Sequence, residues 1–183
     1  MSGADQTPEL SRIVAIDALG DNGRVLSVEA TAGELEAVAR RLGLEGLASL
    51  SGSARVIRTG RGRYRADIDF RADVLQSCVV TLEPVPAQVS DAGSVWFEQD
   101  GKHVDDFDVL DLEAPDPPEP LDDGRIDVGE LIVQHLALAL DPYPRAEGVT
   151  LADVLQTVDE TVEDEDGDGQ ESAFSVLGKL KGP

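Results

Sequence analysis

Residues 47–73 read LASLSGSARVIRTGRGRYRADIDFRAD, and this stretch decides the fold. In its second half apolar and charged residues alternate without a slip. Tyr64, Ala66, Ile68 and Phe70 share one face, while Arg63, Arg65, Asp67, Asp69 and Arg71 share the other. Alternation of this kind is the mark of a strand with one buried and one wet face. Such strands belong to antiparallel sheets, which can leave a face in water. Thr59-Gly60-Arg61-Gly62 reads as the turn, and residues 47–58 as the strand before it.

Outward from this hairpin, residues 11–17 (SRIVAID) and 24–30 (RVLSVEA) read as strands, with Gly20-Asp21-Asn22-Gly23 as their hairpin turn. Thr31 followed three residues later by Glu34 forms a capping box, so a helix is expected over 32–42. Leu35, Val38, Ala39 and Leu42 give it an apolar stripe, and Gly43 stops it. Downstream, residues 76–82 (QSCVVTL) read as a further β-branched strand, ended by Pro84 and Pro86, with shorter strands at 86–91 and 93–98. Residues 100–125 are acidic and dotted with prolines, an irregular crossing segment. Residues 127–140 form the clearest helix: Asp127 caps it, Leu131, Ile132 and Leu136 line its apolar face, and Pro142 and Pro144 stop it. The expected fold class is α+β, a mostly antiparallel sheet, open or barrel-like, packed with two or three helices. A domain over 1–155 is followed by an acidic disordered linker at 156–172 and an amphipathic motif at 173–183.

The chain has 183 residues and a formal charge of −22. Residues 91–172 hold 25 acids against 3 bases, so the excess lies in one stretch. A field of that sign repels nucleic acid at long range and attracts basic partners. No run of about 18 apolar residues is present, so no membrane span is expected. The start, MSGADQTPELSR, has neither basic nor apolar region, so no secretory signal is expected. A single cysteine fits a reducing cytoplasm. With Cys78, His103 and His135 far apart in the chain, no zinc site is expected.

Two strings point to a family. Gln76–Pro84 reads QSCVVTLEP, and Ile126–Arg145 reads IDVGELIVQHLALALDPYPR. In that order, across an acidic linker, they resemble the YceD-type family of large ribosomal RNA subunit accumulation proteins. The resemblance runs from about Arg12 to Arg145 and returns at the ending FSVLGKLK. Its motif positions here are Gln76, Cys78, Thr81, Glu83 and Pro84, then Asp127, Glu130, Leu131, Leu136, Asp141 and Pro142. Leu75 stands where many relatives carry the first cysteine of Cys-x-x-Cys, and Arg145 where some carry another cysteine or histidine. The resemblance implies a ribosome-biogenesis factor supporting accumulation or processing of large-subunit ribosomal RNA. The expected partner is then the pre-ribosomal large subunit; the acidic stretch 91–172, not the resemblance, points to a basic ribosomal protein or assembly intermediate as what is held, with ribosomal RNA as a further or alternative contact.

Candidate contact residues follow from chemistry. Arg55, Arg58, Arg61, Arg63, Arg65 and Arg71 crowd seventeen positions. Arginine forks suit phosphate oxygens, so Arg61, Arg63, Arg65 and Arg71 are candidate RNA or partner contacts. The competing structural reading pairs them across strands with Asp67, Asp69 or other acids. Cys78 reads as a small buried apolar residue before it reads as a reactive thiol. His135 reads as a partly buried, hydrogen-bonded histidine. Asp164–Gly169 matches the first half of a calcium loop, yet Ser175 stands where the bidentate Glu belongs. Phe174, Leu177 and Leu180, beside Lys179 and Lys181, form a candidate docking motif. No Walker loop, GxSxG or HExxH is present, so the expectation is a binding protein with no catalytic residues, cofactor, metal or small-molecule substrate.

Overall fold

The computed structural model describes residues 8–99, 117–121 and 123–149. The acidic linker at 156–172, the motif at 173–183 and most of the crossing segment lie outside the described residues. The rest is α+β. Strands β2 (Arg24–Glu29), β3 (Gly46–Gly60), β4 (Arg63–Ser77), β5 (Pro84–Glu98) and β6 (Glu119–Pro120) form one sheet in that order. Neighbours are antiparallel except β5 and β6, which run parallel. Strands β1 (Ile13–Ala15) and β7 (Arg125–Asp127) form a separate antiparallel pair. Helices α1 (Ala32–Leu42) and α2 (Val128–Ala139) are the two α-helices among the described residues. The five-stranded sheet ends at β2 and β6 without closing, so the barrel alternative is excluded.

The alternation in residues 63–73 becomes the buried face of β4. Tyr64, Ala66, Ile68, Phe70, Ala72 and Val74 are at most 3% exposed. Against the sheet lies α2, which buries Leu131, Ile132, Val133 and Leu136. Each such aliphatic side chain removed from water contributes roughly 1.5–3 kcal/mol. Glycine makes two close approaches possible. A Cβ at Gly52 would strike the Asp69 carbonyl oxygen, and one at Gly93 would lie 2.5 Å from Cε1 of His135. The half-buried His135 ring therefore rests on the β5 backbone.

Three expectations need correction. The N-terminal hairpin does not form. Its turn does, with Gly23 N donating to Gly20 O at 2.9 Å. A 3₁₀ turn at Ile16–Ala18, anchored by Ile16 N to Gly124 O at 3.0 Å, first diverts the chain. β1 then pairs with β7, and β2 with β3. Residues 76–82 are not a strand: β4 ends at Ser77, and Cys78–Leu82 turn the chain over. Leu82 N donates to Cys78 O at 3.0 Å and Cys78 N to Glu83 O at 2.8 Å, closing the loop against the strand preference of Val79 and Val80. The two short strands at 86–91 and 93–98 are one 15-residue strand, because Gly93 packs under His135 instead of breaking the ladder.

Candidate partner-binding face

The sheet face opposite α2 is polar. Its registers align Ser53 with Asp69, Arg55 with Asp67 and Ser94, and Ile57 with Arg65 and Trp96. Carboxylates of β4 are held by neighbouring hydroxyls. Ser49 donates to Asp73 at 2.6 Å, Ser53 to Asp69, and Ser94 to Asp67 at 2.6 Å. Hydrogen bonds from Ser49, then Gln88, hold Asp73 below its usual carboxyl pKa.

The candidate arginines divide within this frame. Arg63, Arg65 and Arg71 share the polar face, while Arg61 sits in the β3–β4 turn. Arg63 pairs with Glu98 at 2.8 Å and Arg65 with Asp67 at 2.9 Å. The Arg65 guanidinium also lies over the Trp96 ring, 5.5 Å from its centroid, a cation–π contact. Arg55, Arg61 and Arg71 are exposed and make no ion pair with another described residue. Tyr64 is in the core at 3% exposure, where Arg58 covers its ring at 5.7 Å. Trp96, 45% exposed, is the face's aromatic residue that sequence reasoning missed. The alternation of Val95 and Phe97 could have signalled its outward direction. Its arginine partner depends on strand register, which local sequence does not carry.

The two family strings meet in space. Gln76 Nε2 donates to Asp141 O at 3.0 Å, and Val79 N donates to Pro144 O at 2.8 Å. Cys78 is wholly buried, and its Sγ accepts from Thr81 N at 3.5 Å and Ala146 N at 3.3 Å. Hydrogen bonding from Thr81, through side chain and then backbone, and from Ala146 lowers the thiol pKa to about 6. The thiol thus clamps the first string to Ala146, the residue that follows the second. Glu83 is exposed, its N donating to Thr81 Oγ1 at 3.3 Å, and Pro84 opens β5. Asp141 Oδ1 accepts from Tyr143 N at 2.9 Å, and Pro142 is exposed. Around this clamp Val79, Leu82 and Tyr143 are 46%, 76% and 70% exposed.

The remaining motif residues position α2. Asp127 accepts from Gly129 N at 3.0 Å and Glu130 N at 3.3 Å, and also from Arg12 N at 2.7 Å. Glu130 pairs with Arg41 of α1 at 2.7 Å, while Leu131 and Leu136 are core. Phe174, Leu177 and Leu180 lie outside the described residues. Among the described residues no three His, Cys, Asp or Glu side chains gather as metal ligands, and no helix is long and apolar enough to cross a membrane. Comparison with curated proteins finds no match, and comparison with solved structures finds none either. One family does match, over residues 66–181, a span that takes in β4 from Ala66 onward with Arg71, the thiol clamp and α2, and that begins after Arg61, Arg63 and Arg65. The chain therefore belongs to the family described as large ribosomal RNA subunit accumulation protein YceD.

Proposed function

We propose that the chain supports large-subunit ribosomal RNA accumulation by holding a basic ribosomal protein, or an assembly intermediate containing one. The observation that carries this reading is the pairing of Arg63 with Glu98 and of Arg65 with Asp67. The hairpin's cations are partly neutralised at home, while residues 91–172 carry 25 acids against 3 bases, of which Glu98 and Glu130 already pair with Arg63 and Arg41, and this excess attracts a basic partner. An acidic holder occupies the charges through which a basic protein would otherwise bind RNA indiscriminately. In this reading the chain acts in the cytoplasm as a binding protein, without catalytic residues, cofactor or metal.

A second reading is direct RNA contact through Arg61, Arg63, Arg65 and Arg71. It is favoured by the exposed Arg61 and Arg71, which make no ion pair among the described residues, and by Trp96 as a stacking surface beside Arg65. One experiment separates the two: affinity capture from cell lysate, with half the sample treated with ribonuclease. Retained large-subunit ribosomal proteins are the expected result. Their loss together with the RNA would overturn the holder reading. Arg61→Ala with Arg71→Ala would then be the variant to test in a gel shift.

A further inference from the structure

β5 pairs with β4 along its whole length, from Arg63↔Glu98 to Ser77↔Pro84, with no register shift. On its other side β6 covers only Phe97 and Glu98. In an antiparallel ladder, successive residues direct their main-chain groups to opposite edges. Glu98 O accepts from Leu121 N at 3.0 Å on the β6 side, and Gln99 N donates to Gly62 O at 2.7 Å on the β4 side. The even-numbered residues of β5 therefore turn their N–H and C=O away from β4. Pro84 and Pro86 fit this parity, since they lack N–H groups where the fold uses none. Ala92 fits it as well, because its N–H donates to the Asp91 carboxylate at 2.8 Å. The outward N–H groups of Gln88, Ser90 and Ser94 meet no backbone partner among the described residues.

We infer that the β5 edge from Gln88 to Ser94 docks an extended basic segment of the protein partner, which adds to the sheet as a strand. This deepens the holder reading and rests on it. Main-chain hydrogen bonds supply the affinity in such additions. Natural sheets blunt exposed edges with lysine, bulges or proline. β5 has prolines only at its first end, no bulge against β4, and no Lys or Arg anywhere. Its charges are Asp91, exposed at mid-edge, and Glu98. A lysine or arginine on the incoming strand meets Asp91 favourably. A second copy, pairing edge to edge about mid-strand, would set two Asp91 carboxylates against each other.

The test uses the full chain and a short synthetic peptide of alternating lysine and valine as probe. Hydrogen exchange at Gln88, Ser90 and Ser94 is expected to be fast in the free chain and slowed by about tenfold or more with the peptide. Ser90→Pro removes one outward N–H at the parity of Pro86, so the expected result is a native circular dichroism spectrum with the protection lost. Asp91→Lys, which leaves the backbone intact, is expected to weaken peptide binding at least tenfold. If Ser90→Pro folds and binds the peptide unchanged, or Asp91→Lys binds it unchanged, the edge is not the site. Slow exchange already in the free, dilute chain would mean that another part of this chain covers the edge, and would overturn the proposal. Protection that grows with protein concentration would assign the edge to a second copy, with the same effect. Lysate capture keeps the two readings apart. Ribosomal proteins held equally by wild type and Ser90→Pro sink the edge alone, whereas none held by wild type sinks the holder reading.

Discussion

Leu82 carries a backbone φ of 61°, the one non-glycine residue in left-handed space among those described. A leucine there crowds its Cβ against the following carbonyl, at a cost of roughly 1–2 kcal/mol. The side chain recovers little in return, because it is 76% exposed. Glycine would release the strain but lose more chain entropy on folding, about 0.5–1 kcal/mol. Leu82→Gly is therefore expected to leave stability unchanged or raise it by up to about 1 kcal/mol, read from denaturant midpoints at constant m-value. A loss of more than about 1 kcal/mol would show that Leu82 packs in a way its exposure does not reveal. At this scale the sequence was only half legible. Burial of Cys78 is what its type favours, but the N–H groups of Thr81 and Ala146 aimed at its sulfur could not be seen. The second of these arrives from 68 residues away, and no local pattern encodes it. Val79 and Val80 misled for the complementary reason: β-branching favours strand, and hydrogen bonds between Cys78 and Leu82 and between Cys78 and Glu83 overrode it.

The elements divide along the same line between local and remote causes. Helix α1 spans the expected 32–42 because its signals sit inside it. Glu34 accepts from Thr31 N at 2.8 Å, and Gly43 ends the helix at φ 66°. The partner of β1 is some 110 residues distant, whereas local sequence signals point to the nearer β2. Glu34 also reaches out of its helix to pair with Arg12 at 2.7 Å. Hydrogen bonds from Arg12 first, then from Thr31, lower its pKa from 4.5 to about 2. A carboxyl more acidic when folded stabilises the fold above its unfolded pKa and loses that contribution as pH falls through the folded value. The sensitive window is thus pH 4.5 down to about 2. Arg12 and Glu34 side chains are 30% and 22% exposed, so screening limits the contribution to about 1 kcal/mol. Glu34→Gln keeps a capping acceptor and removes the charge. It is expected to be about 1 kcal/mol less stable than wild type at neutral pH, with the gap closing as pH falls through that window. A gap independent of pH, in urea melts at matched salt, would remove the ion pair from the account.

For the whole molecule, the charge distribution is the property the sequence states outright, and the open edge is the one it hides. The charge is a sum over residues, needing no geometry. Among the described residues the edge is left open because β6 is two residues long and ends its pairing at Phe97 and Glu98, a fact of register. The two properties act on different parts of one binding event. Long-range attraction raises the rate of encounter with a basic partner and is screened by salt, whereas short hydrogen bonds in the docked state govern how slowly it leaves. Raising salt from about 0.1 to 1 M shrinks the Debye length from about 10 to about 3 Å. Association with a basic ribosomal protein is therefore expected to slow at least tenfold across that range, with dissociation changing far less, in surface-based kinetic measurements. Ser90→Pro is expected to do the reverse, speeding dissociation and sparing association. Unchanged association at molar salt would remove the acidic field from the mechanism. If salt acted only on dissociation, attraction would operate between close, docked charges, and the acids of residues 91–172 would be contacts, not a steering field.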